Sequence, residues 1–267
     1  MRAQFKLGFA AVLAGLVWSA TAMAQESANP AFGPGEQSSY RVKYLGVTAG
    51  TAQVTVGAPM KQWGEEVWPI VAVARSEDLI GVWPIKDKFV SYWKAGTQRV
   101  LGSDLHADEN GKRRRQRIKM QPDGKGALVV KQKEGEAPRE STHELPEGTL
   151  DVTGATFALR NRELEVGREF TYPVFTGRKQ FDMVAKVEGR EMMNTGLGPR
   201  EVFRVRVQAA FGGNLASKRD MFAYFTTDPN HVLVRVEADF ALGTVSAEIT
   251  DYKPGRIMAV ARAENGG

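Results

Sequence analysis

Apolar and polar residues alternate along most of this chain, which is the pattern of β-strands with one buried face. Successive side chains of a strand point to opposite faces, so a period of two predicts a sheet that is apolar on one side. The pattern is clear near the start of the chain, at 40–44 and 52–56, and it is cleanest in the second half, at 181–187, 203–209, 232–240 and 245–249.

Turn residues separate these segments. Asn110-Gly111 has the chemistry of a two-residue type I′ hairpin, because both central residues of that turn have a positive φ. The stretch 132–148 is polar and contains two prolines, so it predicts a surface loop that joins two runs of strands.

A single stretch predicts a helix, around residues 151–164. Asp151 or Thr153 is a suitable N-terminal cap, and Phe157 lies on the apolar side together with the two residues that follow it. Arg160 suits the C-terminal half, where the helix dipole favours a positive charge.

Strands that are each apolar on one face must share one interior. The pattern therefore predicts an all-β, mainly antiparallel fold: a strongly curved sheet, or a closed or half-open β-barrel, with one short helix around 151–164 packed in or across its mouth. An outer-membrane barrel is the less favoured alternative, because the strands are short and the chain ends in the polar sequence ARAENGG.

Residues 1–24 have the pattern of a secretory signal peptide. Arg2 and Lys6 precede an apolar run, and Ala22-Met23-Ala24 is a small-x-small cleavage site. The run is shorter than the ~20 residues that span a bilayer, and no later stretch approaches that length. We therefore expect export to the periplasm without a transmembrane span after cleavage. The predicted organisation is a signal peptide at 1–24, a flexible linker at 25–37, one β-barrel-like domain at 38–253 and a polar tail at 254–267.

The composition is that of an ordinary globular protein, with 42% hydrophobic and 25% charged residues. There is no cysteine, which excludes disulfides, thiolate metal sites and a lipoprotein anchored through an N-terminal cysteine. The net charge of +5 arises from 36 basic and 31 acidic residues, a balance that does not predict a nucleic-acid partner.

Five short stretches occur in a fixed order along the chain. They are YRVKYLGV followed by AG at 40–50, VWPIKDK at 82–88, DVTGATFALR at 151–160, VEGRE followed by TGLG at 187–198, and FTTDPNHV at 225–232. In this order they resemble the exported bacterial family of domain of unknown function 3108, over about Ser38 to Lys253. The resemblance implies an exported, mainly β protein, and it brings no established activity, cofactor or catalytic residue.

The densest charge lies directly after the Asn110-Gly111 turn. If 112–119 is a strand, four cations share one face, with about 6.6 to 6.8 Å between neighbours on that face. Guanidinium groups bind phosphate or carboxylate in a fork, so this row is a candidate surface for an anionic ligand or an envelope protein partner. The competing interpretation is a solvated edge strand whose charges prevent edge pairing. The four residues are Arg113, Arg115, Arg117 and Lys119.

Aromatic residues suggest a second candidate site, an apolar cavity inside the barrel. Four of the five tryptophans fall within residues 63–93, and both a ligand groove and a filled core have this composition. The candidate lining residues are Trp83, Phe89, Phe157, Phe181 and Phe203.

The sequence does not predict an enzyme, and it predicts no cofactor or metal site. His106, His143 and His231 are far apart, and none belongs to a metal-ligand spacing. No nucleophile elbow or phosphate-binding loop is recognisable.

We therefore expect a periplasmic protein that binds an apolar or amphipathic envelope molecule, either a lipid or a glycolipid. The alternative is a non-catalytic scaffold of envelope assembly that docks through the basic strand, with an envelope polysaccharide as a further possible ligand. An envelope-glycan enzyme is a less favoured hypothesis.

Overall fold

The computed structural model describes residues 30–76, 84–211, 214–215, 221–240 and 243–256. Within these ranges the chain forms sixteen strands and one α-helix, with a short 3-10 turn at Ala95–Thr97. The helix α1 is Val152–Arg160. The strands are β1 Gln37–Tyr44, β2 Val47–Val56, β3 Met60–Gln62, β4 Glu65–Ser76, β5 Lys86–Lys94, β6 Arg99–Glu109, β7 Lys112–Met120, β8 Gly126–Lys133, β9 Arg139–Glu144, β10 Glu169–Phe175, β11 Gln180–Thr195, β12 Gly198–Phe211, β13 Asn214–Leu215, β14 Met221–Thr226, β15 Leu233–Phe240 and β16 Gly243–Lys253.

The strands form one antiparallel sheet in the order β10-β11-β12-β14-β15-β16-β1-β2-β4-β5-β6-β7-β8-β9, with β13 on β12 and β3 on β4. Its two edge strands, β9 and β10, do not pair with each other. They nevertheless lie close, because the ring centres of His143 on β9 and Phe175 on β10 are 5.0 Å apart, and Leu150 beyond β9 bridges Val174 of β10. The sheet is therefore strongly curved and open, which confirms the predicted mainly antiparallel fold.

The concave face of the sheet is covered at one end by α1 and by the segment that precedes β1. Phe32 is 1% exposed and packs edge-on against Phe157 of α1, with 4.6 Å between ring centroids. It also contacts Trp68 and Trp93, at 6.2 and 5.7 Å. The sequence predicted a flexible linker at 25–37, whereas residues 31–34 and Glu36 are buried in the structure.

A buried ion pair fixes this segment to α1. Arg160 donates from Nη1 to Glu36 Oε1 at 2.6 Å and from Nη2 to Oε2 at 3.1 Å, and each residue is 3% exposed. Arg160 also donates to the carbonyl oxygens of Ala31 and Asn230, at 3.3 and 3.0 Å. Burial alone would lower the pKa of Arg160, but the Glu36 carboxylate raises it, so the guanidinium stays charged.

We expect Glu36→Gln to lower the free energy of unfolding by about 3–5 kcal/mol, because it leaves a buried guanidinium without its counter-charge. Glu165, which pairs with Arg168 at the surface and is about half exposed, gives the matched control. Glu165→Gln should change stability by no more than about 0.5 kcal/mol. Urea unfolding measures both values, and equal losses would contradict this role of the buried pair.

Helix α1 begins as its capping residue predicts. Asp151 is extended at the N-cap, and its Oδ1 accepts the backbone N–H of Gly154 at 2.7 Å. The helix ends at Arg160, earlier than the predicted 164. Gly154 packs so closely on β6 that an added Cβ would lie 2.4 Å from Val100 Cγ2. Burial raises the pKa of Asp151 to about 6 despite the hydrogen bonds it accepts.

This raised pKa predicts a pH dependence of stability. A carboxyl whose pKa is near 6 when folded and about 3.9 when unfolded stabilises the fold at low pH, and that contribution is lost as the pH rises through about 4 to 6. Asp151→Asn keeps a capping oxygen and does not titrate. Relative to the wild type, it should gain about 2–3 kcal/mol between pH 4 and 7. Asp251→Asn, at an exposed position, is the control. If the difference in free energy of unfolding between Asp151→Asn and the wild type does not vary with pH, the raised pKa of Asp151 is wrong.

The structure confirms the predicted hairpin turn and contradicts the predicted loop. Asn110 and Gly111 adopt φ values of 55° and 73°, which confirms the hairpin between β6 and β7. The stretch 132–148 was predicted as a loop, but it contains the edge strand β9, which pairs only with β8. The prediction failed there because β9 is polar and largely exposed on both faces, and so shows no apolar alternation.

Candidate functional site

An apolar cavity of about 160 Å³ lies between α1 and the concave face of the sheet. The helix contributes Val152, Thr156 and Phe157 to its lining, and the strands contribute Val54 and Ala72 among others. Val152 lines this cavity and is 46% exposed, so the cavity opens to solvent beside it. The helix therefore covers only part of the concave face.

An apolar strip continues from this cavity across neighbouring strands. Directly paired residues of a sheet share a face. Val54 of β2 pairs with Ala72 of β4, Ala72 pairs with Phe89 of β5, and Phe89 pairs with Leu105 of β6. All four are only partly buried. Leu105 in turn pairs with Gln116 of β7, where the lining becomes polar.

Beyond Leu105 the concave face opens into a cleft of about 520 Å³, hereafter the basic cleft. It lies between β7, β8 and β9 on one side and the turn that joins β10 to β11 on the other. Its lining includes one acidic residue, Glu136, and six basic residues, of which Arg115 belongs to the outer face of β7. The six cations are Arg114, Arg115, Lys131, Lys133, Arg139 and Arg178.

Hydrogen bonds hold the β10–β11 turn against the cleft. Gln116 Nε2 donates to the carbonyl oxygen of Thr176 at 3.1 Å, and Lys131 Nζ donates to that of Gly177 at 2.6 Å. Gly177 has a φ of 75°, and an added Cβ would lie 2.7 Å from Gln116 Nε2, so the contact requires glycine. The two open edges of the sheet are thereby connected through side chains of β7 and β8.

The cations of the cleft differ in how far they are neutralised. Arg114 pairs with Glu109 at 2.6 Å, and Lys133 and Arg139 share Glu136, at 3.5 and 3.4 Å. The side chains of Arg115 and Arg178 form no ion pair or hydrogen bond in the described part of the chain. The cleft therefore has an excess of positive charge.

The predicted basic row lies on the other face of β7. Arg113, Arg115, Arg117 and Lys119 are exposed, and they alternate with Arg114, Gln116 and the buried Ile118. Arg115 also contributes to the lining of the basic cleft. The strand lies inside the sheet between β6 and β8, so the edge-strand interpretation is wrong.

Acidic residues of the neighbouring strands neutralise part of that row. Arg113 contacts Asp108 and Glu134, at 3.3 and 3.2 Å. Arg117 binds Asp104 through two hydrogen bonds of 2.8 and 3.1 Å. Burial opposes ionisation of Asp104, but the hydrogen bonds from Arg117 and Tyr92 lower the pKa of its carboxyl. Lys119 Nζ lies 5.9 Å from the ring centre of Trp63.

Three of the predicted cavity aromatics, Phe157, Phe181 and Phe203, belong to one core cluster, but only Phe157 of them lines the apolar cavity. Phe157 lines the apolar cavity, and Phe89 lies in the apolar strip. Phe203 is 2% exposed within the core, and Phe181 is partly buried against the same core. Trp83 lies outside the described residues.

The three histidines remain separate. His231 was interpreted as a surface residue, but it is partly buried. Its Nδ1 lies 2.8 Å from the carbonyl oxygen of Arg160. Burial lowers the pKa of its ring. In the described ranges no group of three acidic or histidine side chains is arranged to hold a metal ion. The helix of the described chain is too short to cross a membrane.

The cleft was missed because its cations come from three separate parts of the sequence. One local signal was available: Ile118 and Met120 are apolar, which places the even-numbered residues of β7 on the concave face together with Arg114 and Gln116. The contribution of the 176–178 turn depends on the curvature of the whole sheet, which local periodicity does not encode.

Together these features define a β-barrel-like protein: a curved, open antiparallel sheet whose concave face is partly filled by one helix. The chain belongs to the DUF3108 family, a protein family of unknown function whose model matches residues 39–250. No curated protein sequence matches the chain.

A solved structure shares the fold at very low sequence identity. A β-barrel-like protein of domain of unknown function DUF1849 from Brucella abortus is 9% identical, with a TM-score of 0.55 over 84% of this chain and 99% of its own. A protein from Bacteroides fragilis proposed to be exported, with a YmcC-like fold, is 10% identical and covers 84% of this chain and 98% of its own. Its TM-score is only 0.32, so it carries no weight here.

Proposed function

We propose that this protein is exported to the bacterial periplasm and binds an apolar or amphipathic envelope molecule, a lipid or a glycolipid, on the concave face of its sheet. Binding without catalysis is the proposed activity. Export is supported by the signal-peptide pattern of residues 1–24, and the absence of cysteine argues against a lipoprotein anchor.

The incomplete filling of the concave face carries the binding proposal. Protein interiors are packed as densely as organic crystals, so the core of a filled barrel leaves few apolar atoms accessible. Here Val152 is 46% exposed in an apolar cavity, and the neighbouring residues Val54, Ala72, Phe89 and Leu105 are only partly buried. Covering this surface with an acyl chain would be favourable by about 25 cal/mol per Å² of apolar area removed from water.

The size of the space also suits a ligand. The apolar cavity of about 160 Å³ is small by itself, but the apolar strip joins it to the basic cleft of about 520 Å³. Ligand sites of proteins have volumes of about 300–1,000 Å³ and combine apolar walls with a few polar groups. The combined surface therefore fits an elongated molecule better than a compact one.

Docking to an envelope protein through the exposed face of β7 has less support. Acidic side chains on neighbouring strands pair with Arg113 and Arg117. A partner would have to compete with these carboxylates, whereas the concave face offers apolar surface without such competition.

Filling the cavity should remove binding. We expect Val152→Trp to weaken the binding of dansylundecanoic acid by at least about tenfold, because the indole occupies the space beside Val54 and Ala72. Val166→Trp is the matched control, since Val166 is 55% exposed and does not line the cavity. Fluorescence titration of the purified protein measures both affinities.

Thr156→Phe is a second filling variant, one helical turn from Val152 on the same cavity wall. Circular dichroism should show that each variant retains its strand content. Wild-type affinity in both filling variants would contradict the proposed site, as would an equal loss in Val166→Trp. Native mass spectrometry of protein purified from the periplasm should show a bound mass in the wild type and none in Val152→Trp.

A further inference from the structure

We propose that the basic cleft binds the phosphate group of an anionic amphiphile whose apolar tail lies along the apolar strip. This inference rests on the proposed function and adds the headgroup chemistry and the orientation of the ligand. The apolar end would lie at α1, and the charged end would lie between β7–β9 and the β10–β11 turn.

The charge of the cleft favours an anionic group. Five cationic side chains of the lining remain when Arg115, on the outer face of β7, is left out, and two carboxylates oppose them when Glu109, which pairs with Arg114, is counted. The Arg178 side chain has no partner among the described residues. A ligand with several acceptor oxygens would supply a partner for it without displacing an existing ion pair.

The types of cation favour phosphate over a single carboxylate. A guanidinium donates two parallel hydrogen bonds to a phosphate, and an ammonium provides a compact charge. The cleft offers both kinds from three directions: Arg114 on β7, Lys131 and Arg139 on β8 and β9, and Arg178 on the opposite turn. A tetrahedral phosphate can accept from several sides at once, whereas a planar carboxylate has two oxygens.

The position of the cleft favours an amphiphile over a soluble anion or nucleic acid. Leu105 belongs both to the apolar strip and to the lining of the cleft, so apolar and cationic surfaces adjoin. From Ala72 on β4 to Gln116 on β7 there are three strand spacings, or about 14 Å. The cleft has no aromatic side chain in its lining on which a base would stack.

Two hydrogen bonds fix one wall of the cleft, because Gln116 and Lys131 donate to the turn that carries Arg178. The ion pairs of Lys133 and Arg139 with Glu136 lie at the surface, where these two basic side chains are 73% and 81% exposed. Because the turn is already fixed, its backbone loses little entropy when Arg178 binds a ligand.

Calorimetry with short-chain lipids tests the proposal. The probes are dihexanoyl phosphatidic acid, dihexanoyl phosphatidylcholine and inorganic phosphate, each titrated into the full purified protein. We expect the phosphatidic acid to bind at least about tenfold more tightly than the phosphatidylcholine, which has the same tails and no net charge. We also expect it to bind at least about tenfold more tightly than inorganic phosphate, which has no tail.

The variant Lys131→Gln/Arg139→Gln/Arg178→Gln should lose this preference. The control Lys61→Gln/Lys186→Gln/Arg200→Gln removes the same charge from exposed positions outside the cleft and should keep it. Arg178→Gln alone is the second variant, because the exposed Arg178 has no partner in the described chain whose loss would affect folding. It should weaken phosphatidic acid binding severalfold.

The outcomes separate the two proposals. Equal affinity for both lipids shows that the cleft does not select the anionic phosphate of phosphatidic acid over a zwitterionic headgroup. If Val152→Trp still weakens binding, this result overturns the anionic-headgroup site and leaves the proposed function intact. If inorganic phosphate binds as tightly as phosphatidic acid, the proposal that the ligand is an amphiphile is overturned, and the cleft is a site for the free anion. If neither lipid binds and Val152→Trp does not change the affinity for dansylundecanoic acid, the proposed function is overturned as well.

Discussion

A strongly curved sheet exposes a concave apolar face, and the rest of this structure depends on how that face is covered. One short helix and the segment before the first strand cover one end, and the buried pair of Arg160 and Glu36 joins them. The pair connects residues 124 positions apart in the chain. Because a buried charge without its partner is costly, helix and segment have to be in place together.

Coverage at one end leaves the remainder of the face accessible, and this is where we propose that a ligand binds. The helix turns Phe157 and Leu159 into the core but leaves Val152 accessible in the apolar cavity. The same curvature brings the β10–β11 turn over β7 and β8, which places Arg178 opposite Lys131. The apolar and cationic parts of the site thus arise from one geometric cause, the bending of a sheet that does not close.

Local chemistry was predictable from the sequence, and long-range arrangement was not. Alternation predicted the strands, Asn110-Gly111 the hairpin and Asp151 the helix cap, because neighbouring residues decide each of these. The linker prediction failed for Phe32 and Glu36, since their partners lie far along the chain. On β7 the sequence predicted a candidate site on the row of cations that forms the outer face. The buried Ile118 places Arg114 on the inner face instead.

The central claim is that an amphiphile lies along the concave face with its tail at the helix. Paramagnetic relaxation in methyl NMR spectra tests it most directly, with a phosphatidic acid that carries a nitroxide at the end of its acyl chain. We predict selective broadening of the Val54, Ala72 and Val152 methyl signals. Broadening confined to Leu128 and Met192, exposed residues that do not line the apolar cavity, would contradict it.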